Sequence, residues 1–461
     1  MRKSSRQSSL RSPIHGLALA FGNGPGQLGR ADRRVVRPRH PDAGIRCELV
    51  QVVATTAWFE QARERHGDTF VADAFGFRLF CVLGPVGVRS LYALPEHDAS
   101  FGLATFRLIG FKLPPELLAD RRNTPHSLFG ASDVERYLAN LDDAVASELA
   151  ELGPSGTFEV FTEMRRLGHR LGLASWAGRE VASARYLDRL IPPLDAIDSS
   201  EAFVRPAQAF RTWATRRRRE RAAMGEIEAV IGEVLADRER SGRLGAEGDF
   251  LDVIYESFAD LPAAERAVAT ARDVILIHSG AQSNLYAALA WTLVYVLADP
   301  ALLARIRDGD DVVLDQCANE AIRMAQRSIT LREVLRPIEV EAEGGPYQLA
   351  KGTFVTTMLS ANNRTAAPGL DVFDPSHYTP RRRTLADDVP VAAKELVSTF
   401  GHGPHSCPAA RFSVSAIRVA VRSLVERYDL TPRYEAVEPR RRQIGAVARA
   451  AAPAVVDYRA R

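Results

Sequence analysis

The run from Val274 to Ala298, VILIHSGAQSNLYAALAWTLVYVLA, contains no Asp, Glu, Lys or Arg across 25 residues. So long an uncharged stretch leaves a chain two options: cross a bilayer, or pass through the middle of a large folded body. As an α-helix it would reach roughly 37 Å, enough to span the hydrocarbon core of a membrane. Its centre, however, gathers His278, Ser279, Gln282, Ser283 and Asn284. Facing lipid, those polar groups would lie there at considerable cost. We therefore expect no membrane span, but a helix through the core of a soluble protein, with its polar groups beside a ligand.

The flanking sequence reads as the helical coat such a helix needs. A mostly helical region runs from about Asp133 to Ala298, and DDVVLDQCANEAIRMAQR (310–327) predicts another helix with Asp310 or Asp311 at its cap. The arginine-rich RTWATRRRRERAAMGEIEAVIGEVLADRER predicts a solvated helix face. Strand signals are few. TFVADAFGFRLFCVLG (69–84) reads as a hairpin around Gly76, and RPIEVEAEGGPYQLAKGTFVTTML has a GG turn between β-rich runs. A last helix is expected just after Cys407, running to about Tyr428, and PAVVDYRAR reads as a closing strand. The fold class is mainly α, an α-rich α+β arrangement, with residues 47–461 as a single domain. Residues 1–46 are basic and rich in Ser and Gly; a disordered tail, a targeting peptide and an overextended gene start all fit them.

Net charge of +3, with no basic stripe interleaved with aromatics, argues against nucleic acid. Four cysteines, Cys47, Cys81, Cys317 and Cys407, lie far apart without a CxxC pair. That argues against a disulfide framework and points to a reducing cytoplasm.

One of them sits in FGHGPHSCPAARF (400–412), beside His402 and His405. A zinc site would need a fourth ligand, and none lies near in sequence. A nucleophile would need a base and an orienting group. A buried structural cysteine is the plain alternative. A thiolate holding a haem iron is the fourth reading. Gly401 and Gly403 allow tight turns and the close approach of a planar ligand, and free N–H groups at a helix start favour a thiolate.

The loop resembles the cysteine-ligand loop of cytochrome P450 enzymes, F-x-x-G-x-[basic]-x-C-x-[G/A], with Phe400, Gly403, His405, Cys407 and Ala409 at its fixed positions. The same family has E-x-x-R on a helix, here Glu320 and Arg323 in NEAIR, and a P-x-R segment that aligns DPSHYTPRR through Arg382. The resemblance covers roughly residues 57–461. It implies haem b (heme b, iron protoporphyrin IX) with Cys407 as axial ligand. His405 and Arg332 would contact haem propionates, and Glu320, Arg323 and Arg382 would form a buried ion-pair network. Arg121 and Arg122 are further candidates for a propionate.

The family places an acid and a threonine in the central helix to pass protons to dioxygen. SGAQSN has no acid, so Gln282, Ser283 and Asn284 stand in the catalytic positions. The spacing of Asn284 to Trp291 is similar to a subgroup containing cholesterol 7α-hydroxylase and prostacyclin synthase. His278, Ala281, Ser328, Ile329 and Gly445 are expected to line the substrate pocket. The implied activity is insertion of one oxygen atom of O2 into a hydrophobic small molecule such as a lipid, steroid or secondary metabolite. Electrons would come from a separate ferredoxin with its reductase, or from a flavoprotein. The alternatives are an electron-independent isomerase or dehydratase of a lipid peroxide, and a non-catalytic haem-binding sensor. A cytoplasmic monomer is expected.

Overall fold

A computed structural model describes residues 56–74, 77–119, 121–122, 134–198, 200, 211–380, 384–441 and 443–461. The chain opens with α1 (Thr56–His66), the hairpin strands β1 (Thr69–Ala74) and β2 (Phe77–Val82), α2 (Pro85–Ala93) and the two-residue β3 (Ala99–Ser100). Helices α3 (Phe101–Ile109) and α4 (Pro115–Leu118) precede the main body. That body holds α5 (Val134–Leu152), β4 (Ser155–Glu159), α6 (Val160–Trp176), α7 (Ala184–Ile197), α8 (Arg218–Arg240), α9 (Phe250–Glu256) and α10 (Ala263–Ala298). After α11 (Pro300–Arg307) and α12 (Asp311–Ala325) come strands β5 (Ile329–Val334), β6 (Ile338–Ala342), β7 (Gly345–Leu349) and β8 (Phe354–Met358). The chain closes with α13 (Leu359–Asn363), α14 (Ala410–Arg427), β9 (Tyr428–Pro432) and β10 (Val455–Ala460).

The uncharged run lies inside α10, a 36-residue helix buried along most of its length. Helices α5, α6, α7, α8, α12 and α14 share one large apolar core with it. Among the described residues no single helix is long and apolar enough to cross a membrane. Helix α6 comes very close to α10 because two of its residues carry no side chain. A Cβ on Gly168 would meet Tyr286 Cβ at 3.0 Å, and one on Gly172 would meet Trp176 Cζ2 at 2.5 Å and His278 Cε1 at 3.2 Å. Helix α12 starts on Asp310, whose carboxylate accepts the Val313 N–H at 3.0 Å, as its capping sequence predicts.

The β portion is small, and the molecule is mainly α. A five-stranded sheet has the order β1-β2-β8-β5-β3, a three-stranded sheet the order β4-β10-β9, and β6 and β7 form a hairpin. The turn between β6 and β7 uses Gly344 and Gly345 at φ 96° and 121°, left-handed backbone that suits glycine. Hairpin β1–β2 pairs Ala74 with Phe77, and the chain end pairs with both β4 and β9. Strand β4 interrupts the stretch read from the sequence as mostly helical.

Candidate active site

The cysteine loop is built by its own backbone. The Cys407 N–H donates to Phe400 O at 2.6 Å, Ser406 N–H to Gly403 O at 3.1 Å, and Gly401 N–H to Ser398 Oγ at 2.9 Å. Gly401 and Gly403 take φ of 79° and 59°, so both turns need a residue free to be left-handed. Cys407 is half-buried at the rim of the main core, with Phe400 beside it. Helix α14 begins at Ala410, a little later than the sequence suggested, and the Ala410 N–H reaches back to Cys407 O at 3.2 Å. His402 turns away from any ligand role. Its Nε2 bonds Val397 O at 3.0 Å, its ring packs edge-on against Tyr92 at 4.9 Å, and burial lowers its pKa. His405 ends a short 3-10 turn, Gly403–His405; its side chain is outside the described residues.

Behind the loop, Glu320 and Arg323 are fully buried on α12 and bonded through both carboxylate oxygens, at 2.7 and 2.6 Å. Burying such a pair is costly unless the remaining donors and acceptors are met. Arg323 also donates to Leu370 O at 2.7 Å, to Val372 O at 3.2 Å and to Asn363 O. Glu320 accepts the Asp374 N–H at 3.1 Å and His377 Nδ1 at 2.9 Å. His377, nearer along the same DPSHYTPRR segment than Arg382, is one such further donor. Arg382 itself lies outside the described residues. The signal was present in P-S-H, where an imidazole stands two residues after Pro375.

The middle of α10 divides its polar residues among different neighbours. Gly280 and Asn284 are exposed and Ala281 is half-buried, whereas His278, Ser279, Gln282, Ser283 and Leu285 are buried. A Cβ on Gly280 would meet nothing within 4 Å, so this stretch of helix borders open space. Asn284 spends its carbonyl on the Val447 N–H at 3.0 Å, and two turns on, Trp291 Nε1 donates to Ala448 O at 2.6 Å. The seven-residue spacing therefore pins one loop at two points on one helix face. Ser283 faces the end of α7. It donates to Asp198, which also accepts Ser200 N–H at 2.9 Å, Ser200 Oγ at 3.0 Å and Arg449 Nη2 at 3.0 Å. An acid thus stands beside Ser283 after all, contributed by another helix 85 residues away in sequence. Gln282 donates to Leu194 O at 3.2 Å, with its own carbonyl buried and unbonded.

His278 does not reach the open face. It is fully buried against α6, bonded to His169 and Trp176, which corrects its placement in a substrate pocket. Ser328 is held by Gln326 Oε1 at 3.1 Å and Leu359 N–H at 3.0 Å. Ile329 packs with a second core cluster, and Gly445 is buried, accepting Gln443 Nε2 at 2.7 Å.

Several cationic or phenolic groups have capacity for an anion. Arg332 is 1% exposed on β5, donating to Ala99 O at 2.9 Å and Leu91 O at 3.0 Å, with Glu96 at 3.4 Å. Burial lowers its pKa. Arg121 stacks on Phe106 at 4.5 Å, and its buried Nε has no hydrogen-bond partner. Tyr92, missed in the sequence reading, buries its hydroxyl near Thr330 and Ser398 without a bond of normal geometry to either. Burial raises its pKa. Arg122 is different. It is committed on the surface to Asp260 at 2.8 Å and to Ser257 O at 2.7 Å, so it is no candidate. Orphaned, buried N–H and O–H groups together with a half-buried cysteine sulfur ahead of a helix fit an iron porphyrin, whose propionates are anionic. Among the described residues no group of three or more His, Cys, Asp and Glu is placed to hold a bare metal ion.

A mainly α body, a cysteine loop leading into a helix and a buried E-x-x-R pair define a haem-thiolate enzyme. Residues 199–456, more than half of the chain, match the family described as cytochrome P450, and the chain belongs to that family as an oxygen-inserting oxidoreductase. It is similar to proteins of Mycobacterium bovis and Mycobacterium tuberculosis that carry the name cytochrome P450 135B1. The identity is 23% over 394 residues, which cover 80% of this chain and 80% of each relative.

Proposed function

We propose that residues 47–461 form one domain that binds haem b through Cys407 and hydroxylates a hydrophobic small molecule presented along Gly280, Ala281 and Asn284. The supporting observation is that open stretch in the middle of a central helix buried along most of its length, in a chain whose cysteine loop leads into a helix on the same core. The haem, when bound, supplies activation of O2, with the thiolate's electron density promoting O–O cleavage. The chain's residues do the rest. Arg332, Arg121 and Tyr92, with His405, hold the propionates by charge-assisted bonds. The loop N–H groups around residues 401–407 tune the sulfur. Ser283 holds a proton beside the reacting centre, with Asp198 behind it as the group that restores it. Asn284 keeps the 443–449 loop closed over the pocket wall. The amide NH2 of Asn284, with no hydrogen bond among the described residues, is left to orient a water or a polar substrate atom.

Electrons arrive from a separate ferredoxin system or flavoprotein, and the enzyme works as a cytoplasmic monomer. The test is direct. Protein expressed with ample haem supply, reduced under carbon monoxide, gives the thiolate-type absorption band, and Cys407→Ala abolishes it. Apolar ligands then shift the haem band of the ferric protein. A colourless protein, or an unchanged spectrum in the alanine variant, would overturn the reading. Turnover of a lipid peroxide without any reductant would replace oxygen insertion by rearrangement.

A further inference from the structure

Four side chains between α6, α7 and α10 form a hydrogen-bonded line in which every proton can be assigned. Trp176 Nε1 is a donor only, and it lies 3.1 Å from His278 Nδ1. That nitrogen must accept, so His278 carries its proton on Nε2. His278 Nε2 is 2.8 Å from His169 Nδ1, which must accept in turn. His169 therefore carries its proton on Nε2 and presents it to Asp195 Oδ1 at 3.2 Å. Asp195 also takes Arg165 Nε at 2.7 Å, and its side chain is 23% exposed. Trp176, His278 and His169 are 1%, 0% and 1% exposed. The line runs from the core to the surface, where Arg165 donates to Asp195 through Nη2 as well as Nε. Gly172 makes it possible, since a side chain there would collide with Trp176. At its inner end the indole packs on Phe412 at 5.4 Å, five residues beyond Cys407 on the helix that its loop enters.

We propose that Trp176 is a proton-coupled redox site that lets oxidising equivalents leave the core. The step balances as follows. Trp176 gives one electron to a one-electron oxidant, and its indole proton goes to His278 Nδ1. The His278 Nε2 proton passes to His169 Nδ1, and the His169 Nε2 proton passes to the Asp195 carboxylate. The result is a neutral tryptophanyl radical, two neutral imidazoles in the opposite tautomers and a carboxylic acid. Neither imidazole has to hold a positive charge in a dry core, which burial opposes for both. An oxygen-inserting enzyme supplies the oxidant class itself whenever oxygen chemistry proceeds without substrate. An external one-electron reductant then restores the indole, and the protons run back along the same line.

The experiment uses the haem-loaded protein with an external oxidant, a ruthenium tris(bipyridyl) complex photo-oxidised with ruthenium(III) hexaammine, so it does not depend on turnover. Transient absorption and electron paramagnetic resonance should show a neutral tryptophanyl radical that forms more slowly in D2O. Trp176→Phe should remove it, leaving whatever Trp58, Trp213 and Trp291 contribute. Asp195→Asn keeps an acceptor oxygen for His169 but cannot take a proton, so the neutral radical should fall severalfold and the solvent isotope effect should vanish. In hydrogen peroxide, Trp176→Phe should lose its haem band severalfold faster than the parent. A radical unchanged in either variant would overturn the relay. An unchanged lifetime in peroxide would overturn its protective role.

Discussion

Arg323 presents its guanidinium to a carboxylate and to three backbone carbonyls without any access to water. Replacing Glu320 by Gln leaves that charge buried and unpaired, which should cost about 3–5 kcal/mol in guanidinium chloride unfolding at neutral pH. His377→Ala removes only one of the donors to Glu320, and a loss of about 1–3 kcal/mol is expected. A near-zero effect would mean that the His377 contact is not formed. Burial pushes His278 down to about 3 and His169 well below its ordinary value. In the unfolded chain both take a proton near pH ~6.5. Below that pH the unfolded state binds protons that the folded state refuses, so acid destabilises the fold. Each imidazole adds about 1.4 kcal/mol per pH unit, an effect absent above neutrality. Unfolding free energies measured from pH 7 to 4 should show this slope, and His278→Gln should reduce it. An equal slope in the variant would exclude His278 as a source. Glu320 and Arg323 were legible because two residues three positions apart on a helix share a face. Asp198 was not, because its partner lies 85 residues away and only folding brings the two together; His377 was offered by P-S-H, but its pairing with Glu320, 57 residues off, waits on the fold in the same way.

Among the elements, α10 was the most legible, since 25 uncharged residues with a polar centre admit few other fates. Strand β4 was not. Its sequence, SGTFE, is short and mostly exposed, and it is a strand because β10 pairs with it from the far end of the chain. The joint between α10 and the 443–449 loop carries a test at this scale. Asn284→Ala should free the Val447 amide, whose hydrogen exchange should speed up while amides in the middle of α12 stay protected. Trp291→Phe should do the same through Ala448 and cost about 1 kcal/mol. Exchange at Val447 unaffected by both changes would exclude the two-point anchor. Gly172→Ala probes the contact of α6 with α10. The added methyl meets Trp176 Cζ2 at 2.5 Å, and a loss of about 1–3 kcal/mol with altered near-ultraviolet dichroism is expected.

Taken as a whole, the molecule joins its helical body to a sheet assembled from distant parts of the sequence. Our proposal of one domain from residue 47 to 461 predicts a single cooperative transition, with tryptophan fluorescence and far-ultraviolet dichroism changing together. Separated transitions would divide the chain. The sheet also governs how the protein is made. Strand β2 lies parallel to β8, with Leu79 opposite Phe354, so the early hairpin cannot complete its ladder until about 275 more residues have left the ribosome. At about 5–20 residues per second that delay is on the order of tens of seconds. Throughout it, Phe70, Phe77 and Phe80 wait in a nascent chain with an unfilled strand edge, a target for holdase chaperones and for pairing with a neighbouring copy on the same messenger.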